Sequence, residues 1–226
     1  MRVNLLALFL FMYVGVTSVF SQEEEEHTKQ KMAFISGSFS YQSSTNANEE
    51  LTIFLEDAKI KTFSVLPKLG LFINTNTAIG AGVGYTYEKL EASDYDGELT
   101  STTPLFSIEP FMRSYRPLTD DASIFVDASA FYRFGTQTFD YYDEYDEDNY
   151  SEKTEKTSYG VAISPGITYH LTENIAMELV VGKLHYTKTK NKPKGAPDDV
   201  AFKSSSYGLK LDLDQASLGV VIYLTR

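Results

Sequence analysis

The sequence predicts an all-β chain that closes into an eight-stranded antiparallel barrel. Three observations predict it. Eight segments alternate apolar and polar residues with period two, the period at which a strand turns its side chains to opposite faces. The connections between them run tight, then long, in strict alternation. Beyond the first 21 residues, no apolar run is long enough for a helix to cross a membrane.

The stretch AIGAGVGYTYE at residues 78–88 carries the pattern most plainly. Ile79, Ala81, Val83, Tyr85 and Tyr87 share one face, and Gly80, Gly82, Gly84, Thr86 and Glu88 the other. Glycines this dense exclude a helix, at about 1 kcal/mol for each. One face is greasy and ends in tyrosines; the other is very small or polar.

The remaining segments follow in order. Residues 33–43 set Ile35, Phe39 and Tyr41 against serines. Residues 62–73 set Phe63, Val65, Leu69, Leu71 and Ile73 against Ser64, Lys68 and Gly70. Residues 102–115 oppose Phe106, Ile108 and Met112 to Ser107, Glu109 and Arg113. Residues 122–135 oppose Ile124, Val126, Ala128, Tyr132 and Phe134 to Asp127, Ser129 and Arg133. Residues 157–170 repeat the glycine style. Residues 175–188 change phase near Gly182 and Lys183, which predicts a bulge. The last segment, residues 206–224, changes phase after Asp214, which predicts a bulge or a break. Pro67, Pro104, Pro110 and Pro165 fall on the greasy phase inside strands, where proline normally deletes a ladder hydrogen bond.

Tight connections are expected at residues 74–76, 119–121 and 172–174, and long polar loops at 44–61, 90–101, 136–156 and 189–205. Antiparallel neighbours would gather every tight turn at one end. Tyr41, Phe63, Tyr85, Tyr87, Tyr132, Phe134, Tyr159 and Tyr186 fall on the greasy phase near the other end, as an aromatic girdle. These features predict a transmembrane barrel with short periplasmic turns and long extracellular loops. Closure also removes sheet edges that lipid does not tolerate.

The domain reading is residues 1–21 as a secretory signal, 22–32 as an acidic periplasmic tail and 33–226 as the barrel. Arg2 starts the signal and Val19-Phe20-Ser21 ends it. A net charge of −11 argues against nucleic-acid binding, and the chain has no cysteine with which to form disulfides.

With the signal end, AIGAGVGYTYE, YGVAISPGITYH and the closing SLGVVIYL in view, the chain resembles the small outer-membrane β-barrel family of Gram-negative bacteria. The nearest likeness is to OmpX and to the membrane domain of OmpA-type proteins. The resemblance implies an eight-stranded up-and-down barrel in the cell outer membrane, without a cofactor. It implies a role in envelope integrity, adhesion or host interaction, with outer-membrane lipids and lipopolysaccharide as surroundings and a surface partner reached through the loops. A monomer is expected.

Lys68, Glu109, Arg113, Asp127 and Arg133 take the polar phase in mid-strand, and Glu178 is a candidate to join them. Eight strands leave room only for side chains, so these charges are expected to pair inside the barrel. Counting from a three-residue turn at Thr119, Asp120 and Asp121 sets Arg113 opposite Asp127. Gly82→Ser is expected to be mild if the interior has room.

The acidic loop is a candidate interaction surface through Tyr141, Tyr142, Asp143, Tyr145, Asp146, Asp148 and Tyr150. Its spacing lacks an EF-hand's glycine and terminal glutamate, so no metal is assigned. The loop at residues 189–205 is basic first and acidic last; its lysines are candidates to meet lipopolysaccharide phosphates, against the plainer reading of a solvated loop. His185 and Thr187 are spaced like the His and Ser of outer-membrane lipid deacylases, but no acid completes them, and no enzyme is expected. The alternative is a secreted, soluble, lipocalin-like calyx with its greasy face inward; a narrow pore ranks below it.

Overall fold

Period-two alternation is realised as ten strands in one sheet. The structure, a computed structural model, describes residues 31–45, 56–93, 97–143, 150–210 and 217–225. The signal and most of the acidic tail lie outside these. The strands are β1 (Lys31–Thr45), β2 (Glu56–Asn74), β3 (Thr77–Ser93), β4 (Gly97–Pro117), β5 (Ala122–Asp143), β6 (Tyr150–His170), β7 (Ile175–Val180), β8 (Lys183–Pro193), β9 (Phe202–Lys210) and β10 (Ser217–Thr225).

Each of β1 to β6 pairs with the next, always antiparallel, and β10 pairs with both β7 and β1. Eight strands therefore close a ring. The other two, β8 and β9, continue strands seven and eight beyond an interruption: β8 pairs with the first half of β6, and β9 pairs with β8.

Both interruptions coincide with the changes of phase. Met177 faces outward and Glu178 inward on β7, whereas Leu184 faces outward on β8. Val181 and Gly182 absorb the slip, and Gly182 has φ 81°, a conformation that glycine takes without steric cost. In strand eight the slip falls between Lys210 and Ser217, outside the described residues.

The expected long loops are a correction. β2 begins at Glu56, β3 runs to Ser93, β4 begins at Gly97, β5 runs to Asp143, and β6 begins at Tyr150. Much of residues 56–61, 90–101, 136–143 and 150–156 is paired strand. The last long loop likewise gives strand up to Pro193 and from Phe202, with a short 3-10 turn at Asp198–Val200 between. In these extensions the charges face outward and apolar residues such as Ala58 and Ala92 face the lumen, the reverse of the belt, so the belt's alternation does not announce them, while backbone pairing continues regardless. β1 begins at Lys31, two residues before the first alternating segment.

Two of the tight turns share one construction. The amides of Leu118 and Thr119 both donate to the Ala122 carbonyl, and the Ala122 amide donates to Thr119 Oγ1 at 3.0 Å. Leu171, Thr172 and Ile175 repeat this arrangement, again at 3.0 Å to the threonine hydroxyl. The other turn is Thr75–Asn76, where the Asn76 amide donates to Asn74 Oδ1 at 3.0 Å.

The four in-strand prolines stand where the ladder can spare a donor. Pro67 keeps its partner Gly37 on β1, while the pairing with β3 skips from Val65 to Lys68. Pro104 and Pro110 pair with β3, while the pairing with β5 skips both positions. Pro165 lies beside the β7–β8 interruption, where its carbonyl accepts from the Val181 amide at 3.0 Å.

The glycine-rich face points inward, and its glycines stand opposite rings. Phe34 faces Gly70, Phe111 faces Gly80, Phe131 faces Gly160, and Phe125 faces Gly166. All four rings are buried. A Cβ at Gly70 or Gly166 would collide with the facing phenylalanine. Gly82 is also a correction: a Cβ there would meet Lys68 Cγ at 3.0 Å, Leu66 Cδ1 at 3.1 Å and the Pro67 carbonyl at 3.2 Å, so the interior has no ready room for serine.

This packing predicts a coupled pair. Gly70→Ala is expected to destabilise by about 1–3 kcal/mol, the usual cost of overpacking. Adding Phe34→Leu removes the ring that the new methyl strikes, so the double variant should lose less than the sum of the single changes. Gly37→Ala, with nothing within 4 Å of its Cβ, should stay within about 0.5 kcal/mol. Urea unfolding of the refolded barrel in micelles measures these variants against wild type, and additive losses at Gly70 and Phe34 would contradict the assignment.

Candidate functional site

The lumen is built in layers, starting from the tight-turn end. There Phe34, Phe72, Phe111, Tyr115, Phe125 and Tyr223 fill it. The Phe34 ring lies 5.8 Å from Phe72, 6.1 Å from Phe111 and 6.2 Å from Tyr223. Phe72 stacks on Tyr115 at 5.7 Å, and Tyr115 lies 6.0 Å from Phe125. His170 covers Tyr223 at 5.2 Å. Offset and edge-on rings at these separations attract beyond their buried area.

Above the rings lies a network of charges. Arg113 is fully buried. Its Nε donates to Asp127 Oδ1 at 2.6 Å, and its Nη2 donates to Asp127 Oδ2 at 2.8 Å. Its Nη1 donates to Glu178 Oε2 at 2.6 Å. Lys68 Nζ donates to the same Asp127 at 3.1 Å and lies 3.8 Å from Glu109. The guanidinium also sits 3.9 Å from the centre of the Phe125 ring. A bidentate pair with a second carboxylate on the remaining nitrogen is the arrangement that suits a buried arginine.

The register explains why these groups meet. Arg113 stands directly opposite Asp127 across β4 and β5. Glu178 reaches the arginine from β7, and Lys68 reaches the aspartate from β2, so the network spans the lumen rather than one wall. Lys68, Glu109, Arg113, Asp127 and Glu178 are thus one cluster. Arg133 is apart from it: its guanidinium lies over Phe131 at 4.4 Å, and Lys183 approaches the same ring at 5.2 Å. Arg133 and Lys183 line a cavity of about 200 Å³ directly above the network, together with Ser38, Ser40, Ser64 and Ser164.

Beyond the cavity the lumen mixes polar pairs with apolar side chains such as the buried Ala58 and Ala92. Ser64 bonds Thr86, Gln137 donates to Ser101 at 2.9 Å, and Ser158 lies 3.1 Å from Thr189. Lys156 pairs with Glu88 at 3.6 Å. The described interior is therefore a mixed shaft above a charged floor, with a plug of rings beneath.

Sequence reasoning missed the plug. Its signal was present in the glycines opposite Phe34, Phe111 and Phe125, but reading it requires the register of three strand pairs. It also left Lys183 and the lumen hydroxyls unassigned, because the interruption before β8 sets their phase.

The outer face is the inverse of the lumen. Ile35, Leu69, Leu71, Ile79, Val83, Phe106, Ile108, Leu218, Val220 and Ile222 are all exposed on it. From Ile73 to Phe63, every outward residue of β2 is apolar. About ten steps at about 3.4 Å, tilted by about 40°, make a belt about 25 Å tall. This placement overturns the soluble calyx, whose greasy face would point inward.

The acidic loop is only partly described. Tyr141 and Tyr150 pair at the tips of β5 and β6, and Tyr142 and Tyr150 are exposed. With Glu98, Thr100, Asp140 and Ser151 they line a shallow cavity of about 180 Å³. The Asp143 side chain, Tyr145, Asp146 and Asp148 lie outside the described residues. Among the described residues no cluster of His, Asp and Glu is placed to hold a metal ion. His185 and Thr187 take the lumen phase, because His185 pairs with buried Ala162 and Thr187 with Gly160.

Outside the belt, Lys61 donates to Glu91 at 2.9 Å and Lys89 at 2.6 Å. These bonds, that of Lys89 first, hold the exposed Glu91 carboxyl down at about 2.

No family model and no curated protein matches the chain. Among solved structures it is similar to Neisserial surface protein A, at 15% identity and a TM-score of 0.41, over 85% of this chain and 97% of that one. It is similar to the outer membrane protein OprG from Pseudomonas aeruginosa at 14% identity and a TM-score of 0.42, over 89% of this chain and 100% of that one. A major outer membrane protein from Thermus thermophilus gives 12% and 0.42, over 83% and 99%. Likenesses this distant carry no argument about activity or partners.

The charge network yields a graded prediction. Arg113→Met strands two carboxylates and should cost roughly 3–5 kcal/mol. Adding Asp127→Leu should recover little, because Glu178 then keeps a buried charge without its arginine. Adding Glu178→Met as a third change should recover most of the loss. Full recovery in the Arg113→Met, Asp127→Leu double variant, measured by urea unfolding, would show that Glu178 contributes nothing.

Proposed function

We propose that this chain is an integral outer-membrane barrel with a structural or surface-interaction role, exerted through the hairpins at the end opposite the tight turns. The single observation that carries the reading is the inversion of the usual protein surface. A continuous apolar belt covers the ring while charges fill its centre. Soluble monomers rarely expose apolar patches beyond a few hundred Å². In lipid, the same belt is the stable surface, and in the ring of eight strands each strand pairs with a neighbour on both sides.

The filled lumen supports interaction over passage. A solute entering the shaft meets the Arg113 network and then the packed rings. Both would have to open for transport. The outward hairpins instead offer exposed tyrosines beside acidic residues, of which Tyr142 and Tyr150 are examples, and such side chains suit protein contacts. The tight turns are assigned to the periplasm and the hairpins to the cell exterior, after the usual asymmetry of such barrels.

Val83 tests the membrane reading. Its side chain is 61% exposed, so Val83→Arg in water would change stability by no more than about 0.5 kcal/mol. Near the middle of a bilayer the same change should cost about 2–4 kcal/mol. The wild-type protein should also need detergent for extraction and migrate differently on gels before and after boiling. A protein that stays soluble without detergent and tolerates Val83→Arg would sink the proposal.

A further inference from the structure

The outward face of β8 and β9 carries a basic group of a kind found nowhere else on the described outer face. Tyr186 and Tyr207 pair across these strands and mark the girdle. The next outward position on β8 is Lys188, about 7 Å farther along the strand, followed by Lys190 at about 13 Å. Lys203 of β9 stands directly opposite Lys190, and Ser205 stands opposite Lys188. The outward positions of both strands, from Leu184 to Lys192 and from Lys203 to Leu209, hold no carboxylate. On the other side, β6 sets Tyr159 opposite Lys188 and Thr157 opposite Lys190. Glu155, one outward position farther, pairs with Lys192 at 3.1 Å.

Two features make this more than a solvated face. Like charges placed directly opposite each other disfavour a strand pair, and Lys203 stands directly opposite Lys190. The comparable position on β2 and β3 carries its own carboxylate: Lys61 and Lys89, just beyond Phe63 and Tyr87, both pair with Glu91. Lys188 and Lys203, by contrast, are exposed and make no ion pair with any described residue. In a chain of net charge −11, two such lysines flanking Lys190 at the girdle are a local reversal of sign.

We propose that Lys188, Lys190 and Lys203 form a binding site for the phosphates of an outer-leaflet lipid headgroup, with the Ser205 hydroxyl as an added donor. The site rests on the membrane reading above. Lipid-borne phosphate is the occupant that fits, because the lysines point toward lipid and lie just beyond the aromatic level where headgroups begin. Phosphate free in solution would gain nothing from that placement. The acyl chains of the same lipid would lie along Leu184, Leu209 and Tyr207, which is 86% exposed.

The test uses the full barrel refolded in neutral-detergent micelles, with bisphosphorylated lipid A as the probe. Native mass spectrometry counts the lipid retained by wild type and by the Lys188→Gln, Lys190→Gln, Lys203→Gln triple variant. Each lysine near such a surface contributes about fivefold, so the triple variant should bind on the order of 100-fold more weakly. Binding by wild type should fall with added salt. Lipid A stripped of both phosphates should bind the two proteins alike. A Lys59→Gln, Lys61→Gln, Lys89→Gln control should retain lipid A as wild type does. The proposal is overturned if the triple variant retains lipid A equally. It is overturned too if inorganic phosphate at the same concentration displaces the lipid, since the site would then be a general anion site. Should the wild-type barrel show no heat-dependent gel shift and fail to enter micelles, the membrane reading falls first and this site falls with it. A normal gel shift with no lysine effect removes this proposal alone.

Discussion

Arg113 is the group on which the interior depends. A guanidinium cannot shed its proton to escape burial, so the chain must surround it with acceptors. Asp127 supplies two from the neighbouring strand, and Glu178 supplies one from across the lumen. Those carboxylates are buried in turn, and Lys68 is recruited to Asp127 from a fourth strand. One residue thereby dictates the identity of three others and fixes the relative height of β2, β4, β5 and β7. Apolar residues of the same volume would cost less to bury. What the charges add is directional: a register slip of one residue would turn Asp127 to lipid and leave Arg113 with no acceptor opposite it.

The lower lumen obeys a second constraint, that of volume. A ring of eight strands is just wide enough for side chains to meet across it. Phenylalanine is large for that space, and the chain fits it by placing glycine opposite. Phe34 with Gly70, Phe111 with Gly80 and Phe125 with Gly166 are three instances in one layer of the barrel. Each ring covers backbone that glycine leaves bare, which is also how aromatic residues steady glycine-containing strands. Arg113 rests on these same rings, so the plug and the charge network support each other: the rings exclude water from the guanidinium, and the guanidinium draws the ring faces inward.

The fold was legible where one face is greasy and the other is not. Residues 78–88 declare a strand and its two faces from composition alone. The interruptions in strands seven and eight were legible too, because a phase change such as Leu179 to Leu184 has no other simple cause. The pairing of Arg113 with Asp127 could be counted from the turn at residues 118–121, since a hairpin sets its own register. Three things were not legible. The strand extensions beyond the belt turn charges outward and Ala58, Ile60, Leu90 and Ala92 inward, which inverts the belt's pattern and reads as polar loop. Glu178's role as second acceptor depends on curvature that brings β7 across the lumen to β4. Room at Gly82 could not be judged without the side chains of Lys68 and Leu66, which come from the neighbouring strand. The prolines sit between these cases. Their positions were visible, but the gaps in pairing that accommodate Pro67, Pro104 and Pro110 belong to the neighbours.

The two ends of the barrel are built from different physics, and the division matches what each end must do under the proposed orientation. At the tight-turn end, connections of two to four residues are held by their own threonine and asparagine side chains, and the lumen is closed with rings. Nothing there requires a partner. At the opposite end the strands outrun the apolar belt, their charges pair along the surface, and the lumen carries hydroxyl pairs beside buried Ala58 and Ala92. Pairing beyond the belt holds the hairpins upright without any help from lipid, because antiparallel ladders need only their neighbours. Among the described residues the strands extend beyond the apolar belt on one side only. Under the proposed surface-interaction reading the two ends belong together: rings fill the lumen at one end, and at the other paired strands hold tyrosines and lysines above the bilayer.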